Sequence, residues 1–569
     1  MLSVAATRSV AGRTLINQNR DSVQNKSDIF IVLRFVWLNK ESYPLAAMEI
    51  RSREHIQELQ KLLREVEPAD EPMDEESSSE DQQSSDTELL GFSIRKDCFR
   101  PRKLPNIQWL DTPQETERQK TDQVPEALDA AKNINTPLEV WSLLFTDEML
   151  NIIVKYTNAE ITRKREHNFK NCETDLLDTD LDELKAFIGI LYFCGLQKDN
   201  HKSLLKLWNM LESPFYCLAM PKAERFALLL QCLRFDDKNT RQERRQRDKL
   251  APIRDLWDLF LSNCMKYYLP SKYVTIDKQI LSFCGRCPFR VRSEDKYGLE
   301  IVMMNDSETY YMINAIPYVG KITTQLFEPV PSYYVRQLSK PIHNSHRNIT
   351  CDNWFTSTSL VQIMQKEFSL SIVGEIKPTR LNIPQEMKDF TEVNSIRFRY
   401  ADNMTLLSYC PKIDQTVLIL STLHEQNDIN LGANMIQFYN STKSSTNIFD
   451  QICHEYNTAC PSNRWPTRFF FGMLDYSSIN SFILYTLNKD NHKIARYKFL
   501  ETLAKSLIMP YKSRYLPLHT VPHQLQIPSL KCKWCPVDLD SKSLIVCPQC
   551  KEPRCEEHRS MLCGQLCKN

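Results

Sequence analysis

Tyr273-Val274-Thr275-Ile276-Asp277-Lys278-Gln279-Ile280-Leu281-Ser282-Phe283 decides how the chain is read. Val274, Ile276, Lys278 and Ile280 alternate with Thr275, Asp277, Gln279 and Leu281, with β-branched residues in both sets. The pattern predicts a strand buried on at least one face. An aspartate in the middle of such a strand is costly unless a cation or hydrogen-bond donors meet it. Asp277 is therefore either a structural carboxylate paired with Arg or backbone amide, or a metal ligand on a central strand.

The residues that follow favour the metal ligand. Tyr297 to Met304 and Tyr310 to Ile316 alternate as a hairpin about the turn Asn305-Asp306-Ser307-Glu308. Tyr333 to Leu338 has helical spacing. Arg347 to Ser357 reads as a short buried strand ending on a second acid, Asp352, followed by a helix from Ser359 and a strand from Leu370 to Gly374. Acids at neighbouring strand ends, with this order of elements, describe a ribonuclease-H-like α/β sheet built for two divalent metals. Upstream, Thr136-Pro137-Leu138 opens an all-helical region that includes Asp182 to Phe193, Pro221 to Leu233 and a helix from Pro252. Between the last two, Arg241 to Lys249 holds five positive charges against two acids.

With 569 residues the chain has room for several domains with cores of their own. Its formal net charge of +1 hides a segregation of charge, because Glu65 to Glu88 holds eleven acids and no Lys or Arg. That Ser-rich acidic run predicts disorder, and the more basic remainder leaves nucleic acid open as a partner. The longest apolar run, Ile29 to Leu38, is interrupted by Arg34 and falls short of a membrane span. A short ordered element is expected at Ile107-Gln108-Trp109-Leu110. At the start, Arg8, Arg13 and Arg20 precede the first acid, Asp21, a faint presequence signal. A nonspecific leader or an upstream start fits better, with Met48 as a second start.

Seven of the nineteen cysteines lie in the last 38 residues, and the others are scattered, as in a reducing, intracellular compartment. The tail reads Cys532-x2-Cys535-x11-Cys547-x2-Cys550-x4-Cys555-x2-His558-x4-Cys563-x3-Cys567. Eight soft ligands in four close pairs make two tetrahedral zinc sites. About forty residues cannot bury an adequate core, so zinc would supply about 10–16 kcal/mol of folding free energy per site. Spacing allows sequential or interleaved pairing. Cys284-x2-Cys287, a lone pair in strand-rich sequence, reads as packing.

Phe283 to Arg290, Ile349 to Ser357 and Asn463-Arg464-Trp465-Pro466 closely resemble the piggyBac transposase family, as do stretches around Thr146-Asp147-Glu148 and Lys198 to His201. The resemblance runs from about residue 136 to the C-terminus. It implies a multidomain α/β protein: a ribonuclease-H-like catalytic core with a β-rich insertion, a discontinuous helical dimerisation and DNA-binding domain, and a small C-terminal zinc cross-brace. The implied boundaries are 1–130 for a mostly disordered acidic region and 131–272 for the first helical part. The core takes 273–378 and 433–456 around the insertion at 379–432; the helical domain resumes at 457–520, and the zinc domain is 531–569. The cross-brace would place Cys532, Cys535, Cys555 and His558 on one ion and Cys547, Cys550, Cys563 and Cys567 on the other.

The family cuts DNA with three aspartates that bind two metal ions. Asp277 matches the first and Asp352 the second, but Asn447 stands at the third, with Ser444-Ser445 where the family has a glycine pair. Asn keeps a carbonyl oxygen of similar shape and removes one charge, worth several kcal/mol beside a dication at an effective dielectric near 20. Asp450, three residues on, matches another acid of the family; to stand in, its helix must slide by about 4–5 Å. Lys278 replaces an acid and is expected to point away from the site, and the loop Val291 to Lys296 is shorter than its counterpart. Lys443, Arg464 and Trp465 are candidate DNA contacts.

The sequence thus points to a nuclear, piggyBac-derived protein that binds double-stranded DNA as a homodimer, with cleavage chemistry impaired or absent. An active transposase using Asp277, Asp352 and Asp450 with magnesium is the alternative, and a zinc-domain adaptor for chromatin proteins, such as a histone tail, is a third.

Overall fold

The computed structural model describes residues 107–113, 119–167, 176–292, 297–320, 328–389, 393, 395–413, 415–426, 428, 430–488, 491 and 493–515, with the backbone of 545–546 and 553–554. All of them fall within the unit Leu62–Asn569. The expectations for Met48, for the acidic run 65–88 and for the eight zinc ligands, Cys532 to Cys567, lie outside the described residues.

Helix starts follow from side chains that satisfy free N–H groups of the first turn. Thr136 accepts from Glu139 N ahead of α1, Pro137–Leu144. Asp180 accepts from Glu183 N ahead of α3, Leu181–Gln197. Between them runs α2, Asp147–His167, and after them α4, Ala223–Cys232, the basic α5, Lys238–Arg247, and α6, Arg254–Lys266. The region is not wholly helical, because Glu126–Ala127 pairs antiparallel with Tyr268–Leu269.

After α6 the described residues build a nine-stranded sheet. Its strands are β1, Tyr273–Ser282; β2, Val291–Arg292; β3, Tyr297–Asp306; β4, Met312–Pro317; and β5, Asn348–Cys351. Then follow β6, Ser371–Glu375; β7, Ile396–Ala401; β8, Met404–Lys412; and β9, Gln415–Ser421. Helix α7, Val330–Leu338, precedes β5, and α8, Thr358–Phe368, joins β5 to β6. Strand β3 pairs antiparallel with both β1 and β4, whereas β5 runs parallel to β1 and β6 parallel to β5. The order β4-β3-β1-β5-β6, an antiparallel meander followed by two parallel strands, is consistent with a ribonuclease-H-like core. The strands read at 404–409 and 417–420 extend this same sheet through β6, β9, β8 and β7. Beyond β7, Leu110 bridges Tyr400, and Trp109 Nε1 donates to Asn382 O at 2.6 Å, so the element at 107–110 covers the outer edge.

Four more helices complete the described chain: α9, Leu431–Thr442; α10, Ser445–Glu455; α11, Trp465–Leu487; and α12, Arg496–Tyr515. The last two pack against the first helices. Buried Trp141 of α1 donates to Tyr192 of α3 at 2.8 Å and to Ser477 of α11 at 3.1 Å. A Cβ on Gly189 of α3 would lie 2.7 Å from Ala504 O of α12, so these helices meet backbone to backbone.

Asp475 sits inside this packing, 2% exposed, and accepts from Thr458 N and Oγ1 at 2.9 and 2.8 Å. Burial pushes its carboxyl up to about 7, against the pull of Arg468 and Arg496. Between its ordinary value and about 7 the folded chain therefore holds a proton that the unfolded chain has released. Stability should fall as pH rises through that window, by an amount on the order of a few kcal/mol. The carbonyl oxygen introduced by Asp475→Asn keeps an acceptor for both contacts and cannot ionise. The substitution should therefore flatten that decline in urea-unfolding midpoints measured from pH 4 to 8.

Candidate active site

The register fixes the site. Ile276 of β1 lies opposite Cys351 of β5, and Cys351 lies opposite Gly374 of β6. One residue further along each segment come Asp277, Asp352 and Glu375. Neighbours across parallel strands face the same way, so the three acids form a row on one face of the sheet. Two residues back on that face, Thr275 Oγ1 donates to Thr442 O at 2.7 Å, and the Thr350 and Thr442 hydroxyls meet at 2.8 Å. These bonds seat the junction of α9 and α10 beside the acids.

Helix α10 then runs along β1. Ser445 Oγ lies 3.2 Å from Thr275 Oγ1, Thr446 Oγ1 donates to Asn305 at 3.0 Å, and Gln279 Nε2 donates to Asp450 at 2.8 Å. Tyr476 of α11 donates to the other end of the Gln279 amide. Asn447 lies between these anchors on the exposed flank of the helix, whereas Asp450 is buried. Asp450 faces Gln279, two residues past Asp277 along β1, with His454 Nε2 at 3.5 Å.

Burial and mutual repulsion act on the row against the charge of Lys278. Burial pushes Asp277 up to about 7, with the Asp352 charge adding to it and the Lys278 backbone N–H, at 2.7 Å, opposing it. Asp352 is raised by burial and by Glu375, against the backbone N–H groups of Trp354 and Phe355 at 2.9 and 3.3 Å. The Tyr439 hydroxyl, 3.5 Å from Glu375, is pushed up by burial and then by the charges of Glu375 and Asp352. Among the described residues none of the three acids is ion-paired. Two ionised carboxylates about 5 Å apart repel by roughly 3 kcal/mol at an effective dielectric of 20. The Lys278 ammonium lies 3.4 Å from Glu300 and 3.8 Å from the centre of the Trp354 ring, and from there its charge still draws Asp277 and Asp352 down.

Two candidate DNA contacts need correcting. Arg464 donates to Gln231 O and Leu233 O, at 3.0 and 2.5 Å, and burial pulls its guanidinium down to about 9. Its hydrogen-bonding fork therefore ties α11 to the end of α4 rather than facing a phosphate. Trp465 is 8% exposed and packs edge-on to Phe289 at 4.9 Å, which makes it core rather than a stacking platform. Lys443 is exposed, with its ammonium 4.9 Å from the Tyr439 ring centre, and stays available.

In kind, the donors fit a hard divalent cation: carboxylate oxygens on a strongly negative, half-buried row. In number they fall short as placed, since among the described residues no three His, Cys, Asp or Glu side chains converge on one point. Sequence reading ended the strand at Gly374 and so missed Glu375; Asn353 and Tyr439, its two partners, were missed with it. The usable signal was an acid directly after a buried strand parallel to the one that ends at Asp352.

Comparisons with known proteins give the class to which this sheet and its row of acids belong. The family described as Transposase IS4 matches residues 136–482, more than half of the chain. The chain belongs to this family, in its piggyBac type. It is 24% identical over 238 residues to the human PiggyBac transposable element-derived protein 3, covering 40% of this chain and 38% of that one. Over 238 residues it is also 24% identical to the human Chimeric ERCC6-PGBD3 protein, covering 40% of this chain and 21% of that one. The chain thus spans well under half the length of either. A solved piggyBac transposase synaptic complex with hairpin DNA matches with a TM-score of 0.67 and 36% identity, over 77% of this chain and 98% of that one. Among the described residues no helix is long and apolar enough to cross a membrane.

Proposed function

We propose that this protein is a transposase-derived DNA-binding protein of the piggyBac type whose cutting chemistry is impaired by Asn447. One observation carries the reading: Asp277 on β1 and Asp352 directly after β5 lie side by side, while Asn447, the residue that the resemblance sets at the third position, is an exposed amide on α10. Asp277 and Asp352 would hold magnesium, which when bound supplies Lewis-acid polarisation of a phosphodiester. Without the third charge, Asp277 and Asp352 would hold such ions weakly. Rescue by Asp450 is disfavoured by its bond to Gln279, which fixes it further along β1.

The solved relative is a synaptic complex with hairpin DNA, which supports DNA as the partner; binding of double-stranded DNA as a homodimer belongs to the same reading. The helices from both ends of the chain, α1 to α6 with α11 and α12, would present the DNA-binding surface. Two structural zinc ions on the C-terminal Cys and His residues would complete the protein; the paired strands Ile545–Val546 and Pro553–Arg554 bracket Cys547 and Cys550 in sequence, as a zinc-knuckle hairpin requires. A nuclear location and a chromatin partner for the zinc domain belong to the same reading.

The test is a gel-shift and cleavage assay on DNA ends with the full chain in magnesium and in manganese. Retained complexes with no hairpin or nicked product are expected. Efficient excision of a flanked segment by the native chain would overturn the reading.

A further inference from the structure

Helix α5 contributes nothing to the core. None of its residues is buried, and it carries five cations, Lys238, Arg241, Arg244, Arg245 and Arg247, against one acid, Glu243. A helix that is polar all round has to be held by something other than apolar packing. What holds this one is Asp236, buried just ahead of it: Arg241 Nη2 donates to Oδ1 at 2.6 Å and Arg244 Nη2 to Oδ2 at 2.5 Å. Arg244 also donates to Asp237 O and Ala251 O, both at 3.0 Å. One carboxylate thus aligns two guanidiniums, and Lys238, Arg241 and Arg245 follow at helical spacing along the same side. The chain facing that side is basic as well. Lys249 Nζ and Phe289 Cβ lie 3.3 and 3.9 Å from where a Cβ on Gly320 would stand, so Lys249 sits against the loop that follows β1. Arg286 of that loop is exposed, and its backbone bridges that of Arg464, whose guanidinium reaches Leu233 O at the end of α4. Burial raises the Cys287 thiol against the Phe289 N–H and the charges of Arg290, Arg245 and Lys249, so cations of both banks stand around it. Glu160, buried nearby, is already engaged by Arg163 and Arg234 at 2.6 and 2.9 Å.

We propose that this seam, with α5 and Lys249 on one bank and Arg286 and Arg290 on the other, is the track for the phosphate backbone of duplex DNA. This rests on the reading of the chain as a DNA-binding protein and assigns the contact to one surface of it. The cations are spread along and across the seam rather than converging on one point, which suits an extended polyanion and not a single small anion. Guanidinium forks match phosphate oxygens in pairs. Arg241 sets Nε and Nη2 on Asp236, and among the described residues its Nη1 makes no hydrogen bond, so that edge is open to such an oxygen. Because Asp236 fixes the forks before DNA arrives, binding does not have to order those side chains. The far bank is continuous with β1, which joins the track to the strand that carries Asp277.

The experiment is a titration of the full chain with a fluorescently labelled duplex of arbitrary sequence, read by anisotropy across a series of salt concentrations. Lys249→Ala combined with Arg286→Ala removes one exposed cation from each bank. Binding at least about tenfold weaker is expected, with a slope of log affinity against log salt smaller by about 2. Asp236→Asn separates alignment from bare charge. Removing an acid from a basic seam should tighten binding on charge alone, whereas loss of the anchor of both forks should weaken it, by about threefold or more. Should Asp236→Asn melt below the native chain, the double variant decides. Native affinity and slope in the double variant would overturn the proposal, as would tighter binding by a folded Asp236→Asn chain. Preference of the native chain for poly-glutamate over the duplex would give the seam to an acidic polypeptide and overturn it too. A native chain that binds the duplex while the double variant matches it sinks this assignment alone; a native chain that binds no duplex sinks the DNA-binding reading with it.

Discussion

Asn447→Asp should raise cleavage of a DNA end in magnesium at least a hundredfold over the native chain. A full charge about 5 Å from a dication is worth several kcal/mol at an effective dielectric of 20, and every 1.4 kcal/mol of barrier is tenfold in rate. The position is suited to the change. Asn447 is exposed on α10, so an ionised side chain there meets no desolvation cost beyond that of the site itself. The helix is anchored on both sides of it, by Ser445 on Thr275 and by Asp450 on Gln279, so the new carboxylate would arrive at the position the Asn447 amide already holds. Products from hairpin-forming substrates, resolved on denaturing gels, give the measurement. The paired control is Asn447→Asp with Asp352→Asn, which must stay silent, because the gain depends on charge shared across the row. If the single substitution gives no gain while a second manganese ion binds, the loss of chemistry lies elsewhere than in the third acid.

What the sequence made legible follows from which forces act locally. Alternation over Tyr273 to Phe283 gave β1 because side-chain period and burial are the same fact in a strand. The row of acids was half visible: Asp277 and Asp352 end or interrupt apolar runs, and such acids stand out. Glu375 did not, because its meaning depends on register across β5 and β6, which no local pattern encodes. Arg464 and Trp465 misled for the complementary reason. A cation and an aromatic ring before a helix look like DNA contacts, until the helix turns out to start against the carbonyls of Gln231 and Leu233 and the ring of Phe289. The strands at 404–409 and 417–420 were found, but their place in the main sheet rests on the pairing of Ile419 with Glu375 and Leu420 with Gly374, again a long-range fact.

Gly298→Ala should be the most damaging small substitution in the sheet, lowering stability by more than about 4 kcal/mol, or preventing folding outright. In the sequence Gly298 is simply a weak residue in an alternating strand. In the structure it lies opposite Ser282 of β1 and Val291 of β2, where a Cβ would overlap Leu281 O and fall 2.7 Å from Leu281 C. Both obstructing atoms are backbone, so no rotamer relieves the overlap, and β1 or β3 must shift. Strand β1 has little freedom to shift, because the Leu281 side chain already packs to 2.8 Å from where a Cβ on Gly472 would lie. The same strand carries Asp277 and Gln279, so any displacement is felt at the acids and at the α10 anchor. Ordinarily Gly→Ala at a compatible site stabilises by about 0.4–1 kcal/mol through the unfolded chain, so the expected sign is opposite to the generic one. Urea unfolding of the full chain followed by tryptophan fluorescence measures it. A midpoint equal to or above that of the native chain would mean that β1 and β3 stand further apart than this register allows, and the placement of Asp277 beside Asp352 would have to be redrawn with them.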